Sequence, residues 1–129
     1  MSTTLTASRA FALWVSPTGA FRLLDWEGLL TPEYALGCDA TDRLDISERL
    51  TMWTDEAAIP LGRPRNMPVS ELLRAYQPNP AIHYGEAVFT GAPNHPAASA
   101  HGLTEDRALT LLDLYLLRIT ARVPGSRRP

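Results

Sequence analysis

Arg63, Arg65 and Asn66 lie close together in a stretch, Asp55 to Pro68, that also contains Pro60, Gly62, Pro64 and Pro68. Two guanidinium groups and a side-chain amide on a proline-stiffened loop can clasp a phosphate or a carboxylate through paired N–H donors. The alternative is that these side chains bond the carbonyls of the irregular loop itself. Trp53 and Asp55 before the loop and Tyr84 after it complete the candidate ligand-binding set, and the ligand implied is a small anion, a nucleotide included.

Other residue types offer less. His83, His95 and His101 have no partner at a metal-ligand spacing such as a helical i, i+4 pair, so no metal site is expected. Asp55, Glu56, Glu86 and His83 could transfer a proton only if they converged in one cleft, and Asp-Glu after a strand more commonly marks a solvated turn. There is no lysine, which excludes a lysine nucleophile, and with Cys38 as the single cysteine no intramolecular disulfide can form. No serine sits in a nucleophile elbow, and no glycine-rich phosphate loop is present. No catalytic residue and no cofactor is therefore assigned.

Twelve arginines against fourteen acidic residues leave a net charge of −2. That is too little positive charge for an unspecific grip on nucleic acid and too little negative charge for an acidic mimic of it. The arginine-only usage fits a GC-rich coding bias. Met1 to Arg9 lacks the apolar run of a signal peptide, and no window approaches the length of a membrane span. The expected setting is cytoplasmic, with no membrane partner.

The elements that must position these residues follow from pattern and punctuation. Ala10–Val15 and Ala20–Trp26 read as a β-hairpin about the turn Ser16-Pro17-Thr18-Gly19. Thr31-Pro32-Glu33 starts a short helix that Gly37 ends, and Arg43–Ser47 and Leu50–Thr54 alternate as neighbouring strands. Pro68–Tyr76 reads as a second short helix, and Ile82–Thr90 as a strand interrupted at Gly85, followed by a loop from Gly91 to Gly102. Thr104 caps one long helix to about Arg122. The fold class expected is α+β: a mostly antiparallel sheet of about five strands packed on the long C-terminal helix, with two short helices in the connections. Residues 10–123 form the expected single domain, with residues 1–9 and 124–129 as flexible ends.

The C-terminal helix is apolar around much of its circumference. Leu109, Leu112, Leu116, Ile119 and Val123 follow a three-four spacing, while Leu111, Leu114, Tyr115 and Leu117 widen the surface. Leu111, Leu114, Tyr115 and Arg118 are accordingly the candidate interface to a second copy, in a possible homodimer. Trp14, Trp26 and Trp53 read as core or core-edge residues.

The pattern Gly37-Cys38, Leu50-Thr51-Met52-Trp53-Thr54-Asp55, Asn66, Tyr84-Gly85 and Val88-Phe89-Thr90-Gly91 resembles an uncharacterised small-domain family carried on plasmids, prophages and integrative elements of actinobacteria and other bacteria. The resemblance spans roughly Leu13 to Gly91 and implies a genomic setting without a reaction. The expected function is that of a non-catalytic binding protein of a mobile element, acting by protein–protein contact on a host defence or regulatory factor. Binding of a small anion or nucleotide by the Arg63–Asn66 loop is the alternative. The protein-contact reading predicts an exposed apolar patch flanked by arginines.

Overall fold

The computed structural model describes residues 9–26, 30–92 and 101–122. Its central strand is the shortest. β5 (Ala87–Thr90) is buried at all four positions, because β1 (Phe11–Val15) and β4 (Leu50–Asp55) pair with its two edges and both its faces are covered. A strand buried on both faces reads as a continuous apolar run, as Ala-Val-Phe does here.

β2 (Phe21–Asp25) and β3 (Thr41–Ser47) flank this centre, giving the order β2-β1-β5-β4-β3 with every pair antiparallel. The expected α+β architecture, with five antiparallel strands and a long C-terminal helix, is thus the observed one. The hairpin turn closes through Ser16 and Ala20, and Gly19 presents its carbonyl to the Tyr115 hydroxyl, which donates to it at 2.7 Å.

Three helices connect and cover the strands. α1 (Pro32–Leu36) is capped by the Thr31 hydroxyl, which accepts from Tyr34 N–H, and it ends at Gly37 in the left-handed region that glycine adopts without a Cβ penalty. α2 (Met67–Leu73) and α3 (Glu105–Arg122) pack on the opposite face of the sheet, where Leu13, Val15, Met52, Ala87 and Phe89 meet Val69, Leu72, Leu73, Ala108, Leu111 and Tyr115 in the main core. The smaller cluster of Ala12, Trp26 and Val88 lies on the α1 face, against Ala35 and Leu36.

Two expectations are corrected. The strand expected over Ile82–Thr90 begins only at Ala87. Gly85 has φ +80°, which no extended strand accommodates, and Tyr84 forms an isolated bridge to Arg65 instead. A Cβ at Gly85 would lie 3.4 Å from that of Arg63, so the glycine also permits a close approach of the preceding loop. On α3, Leu111 and Tyr115 are buried in this chain's own core, and Arg118 donates to the Glu71 carbonyl at 3.1 Å. Half-buried Leu114 packs against the same core. The inward stripe is Ala108, Leu111 and Tyr115, and the leucines turned outward are Leu109, Leu116 and Leu117. The candidate interface therefore falls largely on the wrong side of the helix.

The ends of the expected Gly91–Gly102 loop meet in a bridge between Gly91 and His101. Residues 93–100, His95 among them, lie outside the described residues, as do the expected flexible residues 1–8 and 124–129.

The junction between α2 and the sheet rests on Asn66. Fully buried, it caps α2 by accepting Val69 N–H at 3.0 Å, while its amide donates to the carbonyls of Val15 at 3.2 Å and Gly85 at 2.8 Å. Replacing it with alanine strands two buried carbonyls and one helix N–H. The expected loss for Asn66→Ala is about 2–4 kcal/mol, against at most about 0.5 kcal/mol for the exposed neighbour in Arg65→Ala. Urea denaturation of the two variants checks this; equal midpoints would remove the role assigned to Asn66.

Candidate functional site

The segment from Asp55 to Asn66 is a loop without being loose. Asp55 Oδ1 accepts Ala57 N–H at 2.8 Å, Ala58 N–H bonds the Asp55 carbonyl, and Leu61 and Gly62 N–H bond the carbonyls of Ala57 and Ile59. Arg63 N–H reaches the Ala58 carbonyl at 3.0 Å, and Gly85 N–H the Pro64 carbonyl at 2.8 Å. Backbone donors thus satisfy the carbonyls of Asp55, Ala57, Ala58, Ile59 and Pro64, and the guanidinium groups of Arg63 and Arg65 are not used for it. Both side chains are exposed and neither has an ion-pair partner among the described residues.

This loop walls one end of the sheet, on the face that carries α1. Between it, the Ser16–Ala20 turn and the start of β5 lies a cavity of about 450 Å³, lined by Trp14, Ser16, Leu36, Asp55, Arg63 and Glu86 with neighbouring turn residues. A second cavity of about 520 Å³ adjoins it through Asp55 and Arg63, and reaches Cys38, Asp39, Glu56, Pro60 and Leu61. Volumes of this size suit a small molecule or a single protruding side chain.

Of the six candidate ligand residues, the structure brings only Arg63 and Asp55 together in this cleft. Asn66 is buried with its amide engaged on backbone carbonyls, so it has no donor free for a ligand. Arg65 and Tyr84 pair through their backbones and line neither cavity. Trp53 is half-buried on the α1 face, where its indole donates to the Thr90 hydroxyl at 2.9 Å.

The sequence reading missed Trp14 as a site residue. Its indole N–H donates to Glu86 Oε1 at 3.2 Å, and the Arg22 guanidinium lies 4.7 Å from its ring centroid. Trp14 belongs to a transverse row across the sheet, Arg22-Trp14-Val88-Trp53-Arg43, which only the registers of four separate strand pairs could reveal.

Glu86 and Asp55 line the same cavity, as a proton-transfer pair would require, but His83 does not join them. His83 is half-buried, and burial pushes its imidazole below the usual range while the Asp42 carboxylate opposes the shift. Among the described residues, no group of three or more His, Cys, Asp or Glu side chains is placed to hold a metal ion. Nor is any helix there long and apolar enough to cross a membrane.

The electrostatics of the cleft are acidic. Asp39, Asp55, Glu56 and Glu86 line its two cavities against the single cation Arg63. Cys38 reports this field. Burial pushes its thiol pKa up, the carboxylates of Asp55, Glu33 and Asp39 push it further, and only a hydrogen bond with the Ala40 backbone opposes them. A thiol so placed is a poor nucleophile. Asp55→Asn keeps the Oδ1 acceptor for Ala57 while removing one charge, so Cys38 should alkylate faster with iodoacetamide at about pH 8. An unchanged rate would show that Asp55 does not set the potential at Cys38.

No protein-family model, curated protein or solved structure matches the chain.

Proposed function

We propose that this is a non-catalytic binding protein that acts by protein–protein contact through the loop between β4 and α2. The observation that carries the reading is the exposure of Ile59 (69%) and Leu61 (59%) on a loop fixed by its own backbone hydrogen bonds. Arg63 and Arg65 follow after Gly62 and Pro64, which places two arginines beside the exposed aliphatic pair in the chain. Each large aliphatic side chain removed from water on docking contributes about 1.5–3 kcal/mol, and a loop already ordered loses little entropy on binding. Arginine, which stands beside these aliphatic anchors, is enriched in interfaces.

The setting implied by the family resemblance, an accessory protein of a plasmid or prophage acting on a host defence or regulatory factor, forms part of this proposal. Capture of a small anion by Arg63, Arg65 and Asn66 has weaker support. Asn66 is committed to the fold, Arg65 stands outside the cleft, and the carboxylates around Arg63 repel an anion.

The test is affinity capture from a bacterial host with tagged wild-type protein and two variants, each first confirmed to be folded by its melting curve. Leu61→Asp should lose the captured partner, and Leu117→Asp, which places the same charge on an exposed position of α3, should keep it. A partner retained by Leu61→Asp would overturn the assignment of this loop.

A further inference from the structure

We infer that the cavity between the Ser16–Ala20 turn, the start of β5 and the Arg63–Pro64 segment is a binding site for a guanidinium group, as carried by an arginine side chain of a bound partner. The inference deepens the binding-protein reading by naming what the partner inserts, and it rests on that reading only for the source of the arginine.

Two carboxylates and one cation, Asp55, Glu86 and Arg63, line this cavity. Asp55 and Glu86 are the residues that follow and precede the last β4–β5 pair, Thr54 with Ala87, so they occupy adjoining positions at one end of the ladder. Like charges in that relation destabilise a sheet. Neither forms an ion pair among the described residues, although Arg63 lines the same cavity. Among the described residues, the Asp55 carboxylate accepts only Ala57 N–H, and that of Glu86 only the Trp14 indole N–H. Each carboxylate is thereby held in place with acceptor capacity to spare.

The rest of the lining suits the shape of arginine. Leu36, Pro17, Pro64 and the Trp14 ring give apolar surface for a three-carbon stem in the cavity whose carboxylates would bind the head. A planar guanidinium is more weakly hydrated than an ammonium and donates in pairs to carboxylates, so it loses less on entering a partly apolar cavity. Trp14 already accepts such a group, since Arg22 lies over its ring. The second cavity adds Asp39 and Glu56, so the negative field continues past the first.

The probe is N-acetylarginine N-methylamide, which carries the side chain on a neutral backbone, titrated against 15N-labelled protein while the Trp14 indole N–H is followed by NMR. Saturable shifts are expected, with a dissociation constant on the order of millimolar for a ligand this small. Asp55→Asn and Glu86→Gln keep the internal acceptor atoms and remove the charge; each should weaken binding about tenfold. Arg63→Ala should leave binding unchanged or tighten it, because Arg63 repels the probe. Absence of a saturable shift would overturn the inference. So would shifts produced instead by inorganic phosphate and lost in Arg63→Ala, which would give the cavity to an anion. The outcomes separate from those of the binding-loop test, because Leu61 does not line this cavity and Leu61→Asp should still bind the probe while losing the partner.

Discussion

Asn66 lies where the end of β1, the approach to β5 and the first turn of α2 converge, and its side chain bonds all three. The constraint is one of accounting for polar groups. The Val15 and Gly85 carbonyls and the Val69 N–H are turned into the interior, where water cannot reach them, and an unpaired buried polar group costs more than a hydrogen bond contributes. One carboxamide supplies two donors and an acceptor at that point. An aspartate would place a charged acceptor against two carbonyls, and a serine has a single donor. The main-chain N–H of Asn66 adds a bond to the His83 carbonyl at 2.8 Å, so the chain on either side of the loop is fixed as well.

The functional geometry depends on this junction. With Asn66 anchored, the preceding residues form a short bridge with Tyr84, and Gly85 fits close against Arg63. The loop from Asp55 onward is then closed at both ends, by β4 and by α2. Its own backbone bonds leave Ile59 and Leu61 outside, and it walls a cleft that Asp55 and Glu86 both line.

Several features were legible because their causes are local. The turn at Ser16–Gly19, the Thr31 cap and Gly37 stop of α1, and the start of α3 after Thr104 each depend on residues within one helical turn of each other, and the structure places them as expected. Other features failed for a corresponding reason. The apolar circumference of α3 fits more than one inward stripe, and which one is buried depends on the sheet and α2 beneath it. So the leucines expected at an interface turned inward and others turned out. Ile82–Thr90 has the composition of one strand, but the approach of the Arg63 loop requires a left-handed turn at Gly85, and the ladder starts after it.

By itself, the sequence determined the fold class, the number of strands and the capped starts of α1 and α3, because apolar periodicity and backbone chemistry act over a few residues. Tertiary structure decided which side chains share a site. Trp14, Asp55 and Glu86 are far apart in the chain, and they meet because β5 inserts between β1 and β4. That strand order buries β5 at all four positions at the centre of the sheet, which depends on the whole chain. Tertiary structure also decided the sign of the site: the two arginines and the asparagine suggested an anion pocket, and folding surrounded Arg63 with carboxylates, left Arg65 outside and gave the asparagine to the core.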